Sequence, residues 1–157
     1  MTHLAPECAV APVTARDQEV RTLLETLTTE LAAAGYTSAQ TFGYSVEQIE
    51  QSDVHLVGAR VAGRLVGVAG IEVQGNGLAE LKRFFVTPEQ RGTGVADALI
   101  AALIEHAQAS RVQLLRLETG DKQEAAQAFY RRHGFAQVPL FDPYEASETS
   151  VCMQRRI

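Results

Sequence analysis

At 157 residues, 46% of them hydrophobic, the chain is long enough to bury a real core and short enough to be read as one domain spanning residues 1–157. A formal charge of −5, without clustered Lys and Arg, argues against a nucleic-acid footprint. No apolar run approaches the roughly 20 residues of a membrane span and the N-terminus lacks a basic-then-apolar leader pattern, so no membrane partner and a cytoplasmic location are the expectations.

Residues 9–14 predict a short strand, after which Thr14 is placed to cap a helix with Asp17 in its first turn. Val20, Leu23, Leu24, Leu27 and Leu31 then follow helical spacing up to Gly35. Residues 36–52 read as loop plus a short helix around 46–51, a segment suited to covering a substrate cleft. Residues 54–61, 65–73 and 78–86 are three strands joined by glycine-containing turns, rich in β-branched residues in the first two and antiparallel by the shortness of those turns. A helix over 92–109, a strand over 112–118, a helix over 122–133 and strands near 135–138 and 149–155 complete the series. That order argues an α/β architecture with a mixed sheet and helices on both faces.

Cys8 and Cys152 lie near opposite ends without metal-ligand spacing, which favours buried free thiols over a ligand pair, with a disulfide between them as the alternative. None of the four histidines has a partner at metal-ligand spacing. His106 falls on the apolar side of its helix and His133 near a helix C-terminus, so structural roles and no metal site are expected.

The chemistry concentrates in residues 86–100. A strand-like run stops at Pro88, and Gly92 and Gly94 open an apolar helix, a pattern that lets successive backbone N–H groups converge on an anion at the positive end of the helix. A nucleoside-triphosphate loop would need Gly-Lys-Ser/Thr where this chain has Gly94-Val95-Ala96. A dinucleotide fold has partial support from Gly92-x-Gly94 and a later Glu118, but Asp97 stands where its third glycine belongs and residues 87–91 separate strand from turn. Downstream, Gln123, Ala126, Tyr130 and His133 fall in one narrow arc of a helix with Phe129 beside them, while Glu124, Ala128 and Arg131 face away.

Two segments carry a third reading. Val86-x-Pro88 followed by Arg91-Gly92-Thr93-Gly94-Val95-Ala96 resembles the Arg-x-x-Gly-x-Ala pyrophosphate motif of the GNAT superfamily of acyl-CoA-dependent N-acyltransferases. Gln123-x-x-Ala126-x-x-Phe129-Tyr130-x-x-x-Gly134-Phe135 resembles the same family's Asn-x-x-Ala-x-x-Leu/Phe-Tyr-x-x-x-Gly-Phe segment. The resemblance implies a central, mostly antiparallel sheet of six to seven strands, with acetyl-CoA as co-substrate and an amine as acceptor. It further implies that the acyl and pantetheine arm lies along residues 78–86, where the family's strands splay and the backbone of Phe84, Phe85 and Val86 offers hydrogen bonds. Arg91 and the amides of residues 92–96 would meet the pyrophosphate, and Gln123, Ala126, Phe129 and Tyr130 would complete the cofactor side, with Gln123 one methylene longer than the family's usual Asn. Tyr130 occupies the family's position for protonating the departing thiolate.

An ammonium acceptor with a pKa of about 10.4 must lose its proton before it can attack, so a carboxylate or a water chain is needed. Glu80 matches where histone-modifying members of the family carry a base, Glu118 ends the next strand, and Lys82 shares the strand face of Glu80 as an ion-pair partner. The run Val138-Pro139-Leu140-Phe141-Asp142-Pro143-Tyr144-Glu145 reads equally as a plain surface loop or as one that selects an amine. Three functions stay open: acetyl transfer to a small primary amine, acetyl transfer to a protein lysine or N-terminus, and a non-catalytic acyl-CoA-binding regulatory domain. An exposed C-terminal strand would also offer an edge for a homodimer.

Overall fold

The computed structural model describes residues 7–40 and 44–157. Strand β1 (Cys8–Val13) leads into helix α1 (Gln18–Ala33) and the five-residue helix α2 (Val46–Glu50). Strands β2 (Val54–Val61), β3 (Arg64–Gly75) and β4 (Leu78–Val86) follow as a meander. Helix α3 (Val95–Ala109), strand β5 (Leu114–Gly120), helix α4 (Glu124–Arg132) and strands β6 (Ala136–Val138) and β7 (Ser150–Arg156) complete the chain. The seven strands form one sheet in the order β1-β2-β3-β4-β5-β7-β6, antiparallel everywhere except between β4 and β5. The mixed sheet anticipated from element order is therefore present.

Three boundaries moved for local reasons. Asp17, not Thr14, caps α1: its carboxylate accepts from the Glu19 amide at 2.9 Å, while Thr14 builds the preceding turn by accepting from the amides of Arg16 and Asp17. Helix α3 begins at Val95 rather than 92, because residues 88–90 form a short 3₁₀ turn and Gly92 and Gly94 take φ of +78° and +96°, outside helical space. Strand β5 is displaced two residues from its expected bounds, with residues 111–113 used to leave α3. Residues 41–43 of the expected covering segment lie outside the described residues.

The C-terminal strand is not an edge. β7 pairs with β5 along its whole length and, over residues 152–154, with β6 on its other side, so the middle of the edge expected to join two copies is covered.

Apolar cores lie on both faces of the sheet. Val95, Leu99, Ile100 and Leu103 of α3 and Tyr130 of α4 pack on Leu81, Leu115 and Leu117; Val20, Leu23 and Leu24 of α1 and Ile49 of α2 pack on Leu56, Val68 and Phe85. Cys8 and Cys152 are free thiols, so the disulfide alternative fails, and Cys152 is fully buried. His106 stacks face to face on His55 with ring centroids 3.8 Å apart, the structural role expected of it.

Two irregularities position the site. β4 and β5 pair over only three residues, Leu78–Glu80 against Leu114–Arg116, and then part, which opens a cleft between residues 81–86 and 117–120. In β4 the register against β3 shifts between Val68 and Gly70, so that Arg83 and Phe84 together oppose Ala69 in a bulge, with Arg83 at φ +51°.

Candidate functional site

The cleft holds two cavities that share Phe84, Gln123, Ala126 and Tyr130 in their walls. The larger, of about 460 Å³, runs from the bulge of β4 to the start of α3. Phe84, Phe85, Val86, Arg91, Gly92, Gly94, Ala96, Gln123, Ala126, Phe129 and Tyr130 all line it, so eleven of the thirteen residues expected on the cofactor side come together. Thr93 and Val95 are not among its lining residues, since their side chains point elsewhere. The Thr93 hydroxyl turns back to the Gln90 carbonyl at 2.6 Å, and Val95 is a core residue, 2% exposed; both serve the turn rather than its cavity.

The first intrahelical bond at the start of α3 runs from the Ala98 amide to the Gly94 carbonyl, leaving the amides of Val95, Ala96 and Asp97 without helical partners. A Cβ at Gly92 or Gly94 would meet nothing within 4 Å, so this end of the cavity is open as well as lined with donors. Asp97, at the position of the missing third glycine, is held by His133 at 2.7 Å. Arg91 is anchored by its Nε to the Val86 carbonyl at 3.0 Å and pairs with Glu30 of α1 at 2.8 Å. Arg132, which sequence reasoning did not single out, also lines this cavity. Open amides, two guanidinium groups and an apolar wall of Phe84 and Phe129 fit a cofactor with a pyrophosphate at one end and a thioester arm at the other.

The smaller cavity, of about 140 Å³, occupies the gap where β4 and β5 separate. Glu118 and Tyr130 line it together with Lys82 and Arg83 of β4 and Tyr36 after α1. Burial lifts the Glu118 carboxyl to about 7, the Glu80 carboxylate adds to the rise, and the Ser150 hydroxyl, donating at 2.5 Å, together with Lys82 pulls it back. Tyr130 is 7% exposed, its ring boxed by Phe84, Phe129 and Phe135. Its phenol is pushed well above the ordinary tyrosine value, first by burial and then by the charge of Glu118.

Glu80 sits elsewhere. It is 3% exposed and lines neither cavity; Lys82 pairs with it at 3.1 Å, Tyr144 donates to it at 2.5 Å, and Gln74 reaches it at 3.3 Å. The Lys82 ammonium also lies 4.4 Å from the centre of the Tyr44 ring, and Tyr44 donates to Glu72, the residue opposite Glu80 across the β3–β4 register. The proline-bounded loop thus contributes Tyr144 as a clamp on Glu80.

Tyr36 is the part of the site with the weakest sequence signal. Its hydroxyl accepts from the Lys122 amide at 2.7 Å and donates to Asp121 at 3.1 Å, and its ring lies so close to Gly120 that a Cβ there would collide with it. The segment after α1 is pinned over the end of β5 by that contact. Among the described residues no three His, Cys, Asp or Glu side chains gather as metal ligands, and no helix is long and apolar enough to cross a membrane.

Comparison with known proteins agrees with this arrangement. Residues 19–135 match the model of the Acetyltransferase (GNAT) family. An "IAA acetyltransferase" of Azospirillum brasilense is 32% identical over 111 residues, 70% of this chain and 72% of that protein. The "N-alpha-acetyltransferase RimI" of Mycobacterium tuberculosis is 37% identical over 89 residues, 55% of this chain and 54% of the relative. Among solved structures, a Klebsiella pneumoniae protein assigned as an acyl-CoA N-acyltransferase superposes with a TM-score of 0.79 at 28% identity, covering 95% and 97% of the two chains. The PaiA N-acetyltransferase of Thermoplasma acidophilum, solved with coenzyme A, shares the fold at a TM-score of 0.79 and 15% identity, over 96% and 99% of the chains. The nucleotide-loop, dinucleotide and non-catalytic readings fall away together, and the chain belongs to the GNAT acetyltransferase family as an acyl-CoA-dependent N-acetyltransferase.

Proposed function

We propose that this chain acetylates the primary amine of a small molecule, with Glu118 as the base and Tyr130 as the proton donor to the leaving thiolate. The observation that carries the reading is that both line one small cavity at the point where β4 and β5 part, next to the larger cavity. Bound acetyl-CoA supplies a thioester carbonyl of high reactivity toward nitrogen. Arg91, Arg132 and the first amides of α3 hold its phosphates, and Phe84, Ala126 and Phe129 line the path of its arm.

Glu118 takes one proton from the acceptor ammonium, a task suited to a carboxyl lifted to about 7 rather than left at its ordinary value of 4.5. A carbon–nitrogen bond forms and the carbon–sulfur bond breaks. Tyr130, kept protonated by burial, gives its proton to sulfur and recovers one from the nitrogen, while the proton on Glu118 leaves to solvent. Glu80, sealed by Lys82 and Tyr144, supports the site electrostatically instead of touching the amine.

The test is thiol release from acetyl-CoA by the purified protein across a panel of small amines and peptides with free N-termini. Amine-dependent release that falls about 10²- to 10³-fold in Tyr130→Phe, with the melting temperature retained, is the expected result. Release with peptides alone would move the acceptor to protein N-termini, as the name of the Mycobacterium relative suggests.

A further inference from the structure

Arg83 is unusual in three independent ways, none of which the transfer chemistry above uses. It stands at φ +51° in the middle of a strand, a region that side-chain-bearing residues seldom adopt. The β4 bulge breaks the alternation between Leu81, which packs with α3 and α4, and Phe85, which packs with α1, and Arg83 reaches the α1 side. Nη2 donates to the Leu24 carbonyl at 2.8 Å and to Thr28 at 2.6 Å, both neutral, while Nε is buried and bonded to nothing among the described residues.

The remaining charges of the small cavity make that guanidinium stand out. Lys82 is paired with Glu80, and Glu118, the cavity's sole carboxylate, accepts from Ser150. Arg83 has no carboxylate partner among the described residues, although the chain as a whole carries a formal charge of −5. Arg116, the other arginine with a buried unbonded Nε, lies 4.8 Å from the Phe141 ring centre and does not line the cavity. Arg83 is half-buried with its Nε wholly so, and a cation in that setting whose donors are only partly used is costly unless something anionic completes it. The anion best matched to a planar fork of N–H groups is a carboxylate.

We propose that the acceptor is an amine that also bears a carboxylate, an amino-acid-like small molecule, and that Arg83 is the residue that selects it by binding that carboxylate. The inference rests on the small-amine reading above. It deepens that reading, since Arg83 and Glu118 line the same cavity and so place the anionic and the amino end of one small molecule within it. Burial already lowers the basicity of Arg83, as expected of a guanidinium that lacks its counter-ion.

The experiment compares wild-type thiol-release rates for matched trios: an amino acid, its carboxamide, and the amine left when the carboxylate is removed. The carboxylate-bearing member is expected to show kcat/KM about 10- to 100-fold above the other two, expressed mainly in the KM for the amine. In Arg83→Gln that preference should collapse, with the KM for acetyl-CoA little changed. Equal or better turnover of the decarboxylated amine by the wild-type protein overturns the proposal without needing any variant. So does an Arg83→Gln protein that keeps the preference. Absence of thiol release with every member of every trio would instead overturn the small-amine reading, and this inference with it.

Discussion

The two cavities are built by different means. The larger is mostly backbone: its anion end consists of amides at the start of α3, opened by two glycines at positive φ, and its walls come from β4 and α4. The smaller is made of side chains drawn from distant parts of the chain, several of them, or the residues that brace them, held by long-range partners. Tyr36 bonds Asp121 across 85 residues, Tyr144 bonds Glu80 across 64, and Arg83 bonds Thr28 across 55. A backbone site presents the same donors whatever residues surround it, which suits a co-substrate common to a family; a side-chain site changes with each substitution, which suits an acceptor that differs between members.

The contrast is broken most severely at Glu118. If this carboxyl is the base, Glu118→Gln lowers kcat about 10²- to 10³-fold and removes the inflection near pH 7 in the kcat/KM profile for the amine, which in the parent rises with pH as Glu118 deprotonates. Stability moves the opposite way. The folded-state value is raised above the ordinary 4.5, so folding is favoured by protonated Glu118 and loses stability as pH rises from about 4.5 to about 7. Above pH 7 the variant, which cannot ionise, is expected to be more stable than the parent by up to about 3 kcal/mol. Loss of activity with the pH 7 inflection still present in the residual rate would remove Glu118 from the role.

Glu80 supplies the next largest effect and separates support from chemistry. Glu80→Gln strips Lys82, 8% exposed, of its counter-ion, and leaving a buried charge unpaired costs about 3 kcal/mol. For a chain of this size that is a fall of roughly 6–12 °C in melting temperature. The pH inflection near 7 should survive in whatever protein remains folded; its disappearance would make Glu80 the base after all.

Legibility followed the same division. The cofactor side was readable because its parts lie in two contiguous segments, 86–96 and 123–135, where spacing alone carries the geometry. Two of its expected members, Thr93 and Val95, direct their side chains to the turn and the core, so that what they can offer an anion is their backbone amides. The acceptor side was half readable. Glu118 and Tyr130 lie on regular elements, but Arg83 depends on a bulge that period-two alternation does not reveal, and Tyr36 on a close approach to Gly120 some 80 residues away in sequence. The C-terminal strand looked like a free edge because nothing in its own residues shows that β6 will pair with its middle three residues.

Gly120 tests that close approach. A methyl group at this position runs into the Tyr36 hydroxyl and ring, so Gly120→Ala must displace Tyr36 and break its bonds to Lys122 and Asp121. Overpacking of this kind costs about 1–3 kcal/mol. The KM for the amine should rise about 10-fold. The KM for acetyl-CoA, whose cavity Tyr36 does not line, should change far less. Steady-state kinetics with each substrate varied in turn would show this, and equal changes in both constants would mean that Tyr36 holds the whole cleft and not one side of it.

The smallest effect probes a charged side-chain pair at the edge of the backbone-built half. Arg91 points at Glu30 of α1 across the mouth of the larger cavity, and both side chains are nearly half exposed, at 47% and 44%. A pair so accessible contributes about 0–1 kcal/mol to folding, so Glu30→Gln should leave the melting temperature almost unchanged. Its effect on ligand binding has the opposite sign. The substitution takes a negative charge from the cavity wall and leaves the Arg91 guanidinium, still anchored through Nε to the Val86 carbonyl, free to meet a phosphate. Calorimetric titration should therefore find acetyl-CoA bound two- to five-fold more tightly by Glu30→Gln than by the parent, a difference of up to about 1 kcal/mol that shrinks as salt is raised. Weaker binding would show that Glu30 holds Arg91 in its phosphate-binding position, making the ion pair a part of the cradle instead of a competitor for it.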